Sequence, residues 1–552
     1  MTIARRAGSF WLKLGAGLGV AGVFDAVLFG WGQGGGLFGG LELLLLGTAL
    51  ALRPDLRRSS GALACFGVAG AMAVATFIDP GLLAWCLFWT FAGLGAMLPA
   101  AARFGDAWAW GQRLVCHAFR AAIAPALDMR RWLKLRCRHG GGEMRNVLPQ
   151  LALPAMGSAV ILGLFAAANP VIEIWIDNVL SLSLREDLSL RLCLGVVWFT
   201  FAWSLLRPRM ARRLIGTFDG SGDLPLPGVT PASVRLSLIA FNALFVLQNT
   251  MDLLWLWGLA ALPKGMTLAE YAHRGAYPLI VTALLAAGFV LVALRPGSKT
   301  AAMPLVRPLV VVWVAQNVLL VANAALCTLD YIAAYSLTQL RIAALLWMGL
   351  VALGLVLVLW RMLRGKSASW LINANAAAAL GLLGVCSFVD LDAISARYNI
   401  AHARELGGGG AALDICYLQR MGPSALVPLA ELERRPAPEP IHLWARLLRE
   451  NAQAEVVRDL ANGRWSLKGE LRLAYVRATL RTAALNPREN GWIDCGSRDV
   501  HVLRIALGLE QAPPLSPPQS PPSAPPPVQP APQPKAAPTP ASGAALTKAV
   551  KP

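Results

Sequence analysis

The stretch Leu279–Leu294, LIVTALLAAGFVLVAL, contains no ionisable residue and ends directly before Arg295. Roughly eleven such stretches, each of about 17 to 25 mostly apolar residues, follow one another along the chain and are long enough to cross a bilayer. A soluble domain cannot bury so many apolar runs, and the mean hydropathy of +0.53 agrees. The sequence therefore predicts an all-α fold, a polytopic transmembrane helical bundle. The predicted spans are approximately residues 12–31, 36–52, 61–78, 81–99, 147–167, 188–206, 235–258, 276–295, 306–328, 339–360 and 370–388.

The connections between these spans alternate in charge. The longest, residues 100–146, carries nine Arg and Lys residues against three acidic ones, whereas residues 168–187 carry four acidic residues and one Arg. Basic connections are retained in the cytoplasm. We therefore expect a multi-pass protein of the cell inner membrane with a cytoplasmic N-terminus and a periplasmic C-terminus.

The net charge of +19 over 552 residues does not require a nucleic-acid partner. Most of this charge lies in the connections assigned to the cytoplasm, where it can face anionic lipid head groups. The sequence shows no single-stranded-binding groove with interleaved stacking aromatics. The expected partners are the lipid bilayer and either a small polar solute or an envelope protein, and no nucleic acid.

Composition divides the chain into three parts. Residues 1–388 form the transmembrane domain, with the cytoplasmic basic loop 100–146, and residues 389–510 show apolar residues at helical spacing in a polar background. We expect residues 389–510 to be an extracytoplasmic α-helical domain, with helices at about 392–405, 411–421, 440–462 and 466–484. Its two cysteines, Cys416 and Cys495, could pair in an oxidising compartment. Residues 511–552 are rich in Pro and Ala, which predicts a disordered tail.

Polar residues inside the predicted spans indicate a candidate site, because each is costly in hydrocarbon and needs a partner or a cavity. Asn242, Asn249 and Asp252 share one stripe of their span, and Gln316, Asn323 and Asp330 recur every seven residues in another. With Asp25 and Glu42, these acids fall in the outer half of the bilayer. The candidate substrate-binding residues are Asp252, Asp330, Arg341, Glu270, His273, Arg274 and Asn249.

Two interpretations of these residues remain open. In the first they line an outward-facing cavity, where Arg341 or Arg274 holds an anionic group and His273 or an acid moves protons. In the second the amides are interhelical hydrogen bonds, and Asp330 with Arg341 is a buried ion pair.

No catalytic, nucleotide-binding or metal-binding signature accompanies these residues, so no cofactor and no metal are expected. A non-enzymatic role is the first hypothesis: transport or sensing of a polar or anionic solute. A membrane-embedded transferase acting on a lipid-linked substrate, with Glu270 or His273 as base, is the second. A scaffold or signalling partner of the envelope, acting through the outer domain and tail, is the third.

Three stretches together carry a family resemblance: RMARRLI at 209–215, TLAEYAHRGAY at 267–277 and YSLTQLR at 335–341. The middle one resembles the Thr-x-Ala-Glu-Tyr-Ala-Arg-x-Gly-Phe signature of a bacterial membrane family, the domain of unknown function 4173, a relative of the 4153 group. His273 and Ala276 stand where that signature has Arg and Phe. The resemblance implies a multi-pass fold and supplies no activity, substrate or cofactor.

Overall fold

The computed structural model describes residues 2–30, 34–101, 104–139, 158, 186–210, 215–216, 230–256, 281, 285, 288–289, 298 and 303–480. All secondary structure in these residues is helical, as predicted. The described residues belong to one compact unit, Met1–Cys495. Most of the predicted spans 147–167 and 276–295, and the whole Pro-rich tail, lie outside the described residues.

The helices of the membrane part are α1 (Thr2–Asp25), α2 (Leu37–Leu52), α3 (Pro54–Arg57), α4 (Ser60–Ile78), α5 (Leu82–Met97), α6 (Ala107–His139), α7 (Glu186–Leu206), α8 (Pro231–Leu256), α9 (Val306–Tyr335), α10 (Gln339–Arg364) and α11 (Ala368–Cys386). Among the described residues, eight helical stretches are long and apolar enough to cross a membrane, and they lie in α1, α4, α5, α7, α8, α9, α10 and α11. Each coincides with a predicted span. Helix α2, which corresponds to the span 36–52, is apolar but only 16 residues long.

Helices α1, α2, α4, α5 and α7 share one apolar core, and we call them the first bundle. Leu45, Phe66, Phe88, Ala92 and Leu205 are buried in it. Small residues bring the backbones close together: a side chain at Gly39 would collide with the backbone of Ala73 and Phe77. The contact of α2 with α4 therefore depends on a glycine at this position.

Arg53 closes one end of the first bundle. It follows α2 directly, and its guanidinium donates to the carbonyl oxygens of Leu205 at 2.8 Å and Ala96 at 2.9 Å. These carbonyls belong to the last turns of α7 and α5, which carry partial negative charge. Several connections with basic residues lie at this end, which we call the basic end: 53–59, 207–210 and 364–367.

Helices α8, α9, α10 and α11 form the second bundle, whose core contains Leu238, Val310, Trp313, Leu355 and Leu371. Helix α9 has 30 residues. At about 1.5 Å per residue it is about 45 Å long, more than the roughly 30 Å of hydrocarbon in a bilayer. Helix α9 is therefore long enough for some of its turns to lie beyond the hydrocarbon.

Much of the predicted basic loop 100–146 is the 33-residue helix α6. Asn373 in α11 accepts from the N–H of Ala107 at 2.7 Å, and Asp128 accepts from the Trp203 indole in α7 at 3.0 Å. Helix α6 thus packs across the basic ends of both bundles.

The C-terminal helices are α12 (Leu391–His402), α13 (Ile415–Arg420), α14 (Leu426–Leu432), α15 (Glu439–Ala461) and α16 (Leu467–Leu480). We call them the helical domain. They surround two apolar clusters, with Leu418, Leu429 and Leu448 in one and Leu426 and Val476 in the other. Cys416 in α13 is disulfide-bonded, and Cys495 lies outside the described residues.

The helical domain contacts the first bundle at the end opposite to Arg53, which we call the domain end. The N–H groups of Gly34 and Gly36 donate to the carbonyl oxygens of Gly463 and Trp465, each at 2.5 Å. Lys468 Nζ lies 2.7 Å from Asp79 Oδ2 and 2.9 Å from Asp390 Oδ2. Backbone bonds and ion pairs together hold the domain against the membrane helices.

The same domain contacts the second bundle at the turn between α9 and α10. Asn399 in α12 exchanges two hydrogen bonds with the backbone of Leu337, and the N–H of Gln339 donates to the Tyr417 hydroxyl at 3.0 Å. One domain therefore bridges both bundles at the domain end.

Candidate functional site

A row of buried polar side chains joins α8 to α9, and we call it the seam. Its first member, Asn242, is 9% exposed. Asn242 Nδ2 donates to Leu309 O at 3.1 Å, and Asn242 Oδ1 accepts from Gln316 Nε2 at 2.9 Å. Both hydrogen-bonding groups of this amide are thus used between the helices.

Asn249 continues the seam two turns further along α8. Its Nδ2 donates to Phe245 O at 2.9 Å and to Gln316 O at 3.3 Å. The bonds Asn242 to Leu309 and Asn249 to Gln316 both join residues 67 positions apart. Because the offset is the same at both contacts, α8 and α9 run parallel to each other with the same rise per residue.

Aromatic rings pack beside the seam. The Trp313 ring lies 5.4 Å from that of Phe241 and 6.0 Å from that of Phe245, and the Phe289 ring lies 5.8 Å from it. Trp313 is 3% exposed. The polar row is therefore bordered by a tightly packed apolar surface, in which an unpaired polar atom is expensive.

Several buried polar atoms of the seam have no hydrogen-bond partner in the described structure. The acceptors are Asn249 Oδ1, Gln316 Oε1 and Asn317 Oδ1. The donors are Trp313 Nε1 and Asn323 Nδ2. Such groups are rare in folded proteins, and a bound ligand that supplies the missing hydrogen bonds is one explanation for them.

Asp252 lies one turn beyond Asn249 and is 5% exposed. Its Oδ1 accepts from Gln248 Nε2 at 2.9 Å. The Cys327 thiol in α9 is close enough to both Asp252 and Asp330 to interact with their charges. Two of the candidate carboxylates therefore belong to the same region of the second bundle, with the buried one on the seam.

Asp330 and Arg341 do not form the buried ion pair considered from the sequence. Asp330 is exposed and lies near the C-terminal end of α9. The Arg341 guanidinium donates to the carbonyl oxygens of Tyr335, at 2.7 Å, and Ser336, and it stacks 4.3 Å from the Tyr331 ring centroid. It thereby supports a turn in which Ser336 adopts a φ of 71°.

The acids predicted in one leaflet do not converge. Asp25 forms an ion pair with Arg191 at 2.5 Å, between α1 and α7. Glu42 in α2 is fully buried, and its carboxylate lies close to the Thr76 side chain of α4. Both acids are in the first bundle, whereas Asp252 and Asp330 are in the second. A shared depth in the membrane says nothing about which helices are neighbours.

Glu270, His273 and Arg274 lie outside the described residues.

The prediction from the sequence did not include Trp313 in the candidate site and gave Asn317 no separate role in it. Asn317 is 1% exposed and lies one turn beyond Trp313 in α9. The spacing of four residues from Trp313 to Asn317, matched by Phe245 to Asn249 in α8, was the available signal. It becomes informative only when the two helices are known to be parallel neighbours.

A family model matches residues 64–432, more than half of the chain, and its description is a domain of unknown function, DUF4153. The chain belongs to the DUF4153 family. This agrees with the resemblance to the related 4173 group. The DUF4153 match begins in α4, includes the seam and ends with α14, at Leu432. No curated protein and no solved structure matches the chain.

Proposed function

We propose that this protein is an inner-membrane transporter or sensor that binds a small polar solute in the seam between α8 and α9. The observation that carries the proposal is the set of buried amide oxygens at Asn249, Gln316 and Asn317 that lack hydrogen-bond partners. A purely structural seam would gain stability by satisfying these atoms within the protein. A solute that donates hydrogen bonds or carries positive charge would satisfy them instead.

The chemistry of the seam changes the solute class expected from the sequence. An anion needs donors or cations, and Arg341, the described residue that was expected to supply them, is engaged by the Tyr335 and Ser336 carbonyls. The unpartnered acceptors of Asn249, Gln316 and Asn317 outnumber the unpartnered donors of Trp313 and Asn323, and Asp252 adds a carboxylate. The proposed solute is therefore neutral and polar or cationic.

Charge and redox chemistry support one orientation. Arg53, Arg57, Arg58, Arg207, Arg209 and Arg364 lie at the basic end, which favours its retention in the cytoplasm. The disulfide of Cys416 favours an oxidising compartment for the helical domain. We propose that the basic end faces the cytoplasm and the helical domain the periplasm.

Reporter fusions test this orientation. Alkaline phosphatase fused after Gly409, in the loop that follows α12, should be active, because this enzyme folds only in an oxidising compartment. The same enzyme fused after Gly365, at the end of α10, should be inactive. The reverse pattern would contradict the proposed orientation. It would not affect the proposal that the seam binds a solute.

Ligand binding tests the function itself. The full chain in lipid nanodiscs would be heated in the presence of cations, amines, sugars, small anions and lipid-linked intermediates. A ligand at about one hundred times its Kd adds about 2.7 kcal/mol of stability. We expect a shift in unfolding temperature that is lost in Asn249→Ala. The matched control is Asn375→Ala, because Asn375 Nδ2 also donates to the carbonyl four residues earlier, Leu371 O at 3.0 Å, but lies on α11.

Reconstitution then separates transport from sensing. Proteoliposomes would accumulate the ligand if the protein transports it, whereas a sensor would bind it without flux. A ligand whose effect is identical in wild type and Asn249→Ala would argue against the seam as the site. A lipid-linked intermediate as the single stabilising ligand would favour the transferase hypothesis.

The scaffold hypothesis makes a different prediction. The helical domain is held to both bundles through Lys468 and Asn399. It is therefore packed against the membrane helices and is not a freely tethered module. Truncation after residue 388 should therefore disturb the membrane part itself. A truncated protein that keeps the thermal stability of the membrane bundle but loses all cellular function would favour the scaffold.

A further inference from the structure

Arg361, in the last turn of α10, is a buried cation. It is 3% exposed, and its Nε has no hydrogen-bond partner. Among the residues that the structure describes, no carboxylate forms an ion pair with it. Arg364 in the same turn differs, because it is exposed and stacks on the Trp360 ring at 4.8 Å. A buried charge without a counter-charge is costly, and in a membrane helix it usually marks a functional position.

Arg361 lies opposite the start of α11. Helices α10 and α11 are antiparallel and joined by residues 365–367, and a Cβ at Gly354 would lie 3.1 Å from Asn375 Oδ1. Arg361 lies seven residues after Gly354, and Ala368 lies seven residues before Asn375. Seven residues make nearly two turns, so both members of each pair share one face of their helix. This places Arg361 opposite Ala368, the first residue of α11.

The first turn of α11 adds hydrogen-bond donors to this position. A helix N-terminus carries partial positive charge, and its first N–H groups have no partner within the helix. The Ser367 side chain accepts from the N–H of Trp370 at 3.2 Å, and the N–H groups of Ala368 and Ser369 come before it. A buried guanidinium and a positive helix end repel each other. An anion between them would interact favourably with both.

The C-terminal end of α10 does not by itself explain the burial of Arg361. A cation in the last turn of a helix is favoured by the partial negative charge there, and Arg364 gains this interaction while it stays exposed. The N–H groups of Gly365 and Lys366 both donate to the Arg361 carbonyl oxygen, which already caps this end. The interaction of a charge with a helix end is weaker than the cost of burying that charge.

We propose that Arg361 and the first turn of α11 bind the phosphate group of a ligand at the basic end. A guanidinium can donate two parallel hydrogen bonds to an oxyanion, and the backbone N–H groups of a helix N-terminus can bind its other oxygens. The exposed Arg364 and Lys366 would attract anions to this end. An anionic phospholipid head group and a free phosphate ion share this chemistry. The site uses no residue of the seam, so it does not depend on the proposed function.

Thermal unfolding of the full chain tests the site and separates the two sources. The protein would be held in maltoside micelles, which contain no phosphate, with intrinsic fluorescence as the readout. Sodium phosphate would be compared with sodium chloride at equal ionic strength, and added phosphatidylglycerol with added phosphatidylcholine. We expect a saturable rise in unfolding temperature with phosphate, phosphatidylglycerol or both. A response to phosphatidylglycerol alone assigns the site to a lipid head group, and a response to sodium phosphate alone assigns it to a soluble ion.

Three variants connect this response to Arg361. In Arg361→Met the half-saturating concentration should rise about tenfold or more. Arg361→Lys keeps the charge but loses the planar fork of donors, so its half-saturating concentration should lie between those of wild type and Arg361→Met. Arg364→Met is the matched control, because it removes an exposed charge from the same turn, and it should change the half-saturating concentration by less than about twofold.

The stability of Arg361→Met without ligand distinguishes a binding role from a structural one. Removing a buried charge that has no counter-charge should leave the unfolding temperature equal to that of wild type or raise it. At saturating ligand the order should reverse, with wild type the more stable protein. A loss of stability in Arg361→Met that is the same with and without ligand would make Arg361 a structural residue and overturn the proposal.

Three further outcomes would overturn the phosphate site. The first is no response of wild type to phosphate or to phosphatidylglycerol. The second is a response of equal size in wild type and Arg361→Met. The third is an equal response to chloride, which would exclude recognition of an oxyanion. Asn249→Ala, in the seam, should keep the phosphate response, so the failure of the seam as a solute site and the failure of this site are separate results.

Discussion

Asn399 pairs with the backbone of Leu337 through both halves of its amide: Oδ1 accepts from the Leu337 N–H at 2.6 Å, and Nδ2 donates to the Leu337 carbonyl at 2.8 Å. Leu337 is in the turn between α9 and α10, and Asn399 is in α12. A single side chain therefore supplies hydrogen bonds that a tight turn cannot make within itself. It also connects the helical domain to the bundle that contains the seam.

Asn399→Ala should leave two buried backbone groups of Leu337 unpaired and destabilise this contact by on the order of 2 kcal/mol. We expect faster proteolysis at Ser336–Thr338 and a lower unfolding temperature. Asn399→Asp keeps the acceptor and loses the donor, so it should fall between wild type and Asn399→Ala. Identical proteolysis rates in all three proteins would contradict the role of this pair.

Asp390 caps the N-terminus of α12 and forms ion pairs with Lys468 and Arg472 of α16. Burial raises the pKa of Asp390, but hydrogen bonds from Lys468 and the Ala393 N–H and the charges of Lys468 and Arg472 outweigh it, so that the pKa lies below its ordinary value. Because the folded-state pKa is lowered, the stabilisation is present above the ordinary Asp range and is lost as the pH falls through the folded-state pKa.

Asp390→Asn should therefore reduce stability at neutral pH by on the order of 2 kcal/mol. The difference from wild type should stay constant between about pH 5 and pH 8 and shrink below about pH 4. Thermal unfolding across this pH series measures it. Asp79→Asn is the comparison, since Asp79 contacts Lys468 but is half exposed, and it should have a smaller effect. A difference that does not change with pH would exclude the ionic contribution.

Arg53 contributes to stability at the basic end. Arg53→Met should leave the carbonyls of Ala96 and Leu205 without their donor and cost on the order of 3 kcal/mol. Arg57→Met is the matched control, because Arg57 is exposed and lies four positions further along the chain. Thermal unfolding in nanodiscs should show a large decrease for the first variant and little change for the second. Equal decreases in the unfolding temperature would mean that stability depends on the positive charge at the basic end and not on the hydrogen bonds to Ala96 and Leu205.

Gly39 and Gly40 provide an internal comparison in α2. A Cβ at Gly39 would collide with the backbone of Ala73 and Phe77, whereas a Cβ at Gly40 would have no neighbour within 4 Å. Gly39→Ala should force α2 away from α4 and cost about 3 kcal/mol, and Gly40→Ala should be close to neutral. The unfolding temperatures of the two variants measure the difference, and similar values would contradict the close packing of these helices.

The apolar spans were the most predictable part of the fold. Leu188–Leu206 and Gln339–Arg364 coincide with predicted spans, because an uninterrupted apolar stretch has few alternatives to a membrane helix. Helix α6 was predicted only as a basic loop. Its apolar positions are diluted by Arg120, Arg130 and Arg131, so hydropathy alone does not reveal a helix of 33 residues.

The polar residues were located in the sequence, but their partners were not. Asn242, Asn249 and Gln316 were recognised as one-sided stripes, and the structure brings them together. A buried ion pair of Asp330 with Arg341 was one expectation, but Asp330 is exposed and Arg341 supports a turn. Ligand binding by these two residues stays a prediction. Heptad spacing defines the face of a helix, but it does not define how far the helix projects or which carbonyl a guanidinium reaches.

The sequence by itself determined that the chain is a multi-pass helical membrane protein, because the cost of burying a polar backbone in lipid leaves a long apolar stretch no other structure. The tertiary structure decided which helices are neighbours, since the preference for lipid is the same on every face of an apolar helix. Parallel packing at an offset of 67 residues places Asn242 beside Leu309 and Asn249 beside Gln316. No local pattern encodes that offset, because it results from the contacts of the whole bundle.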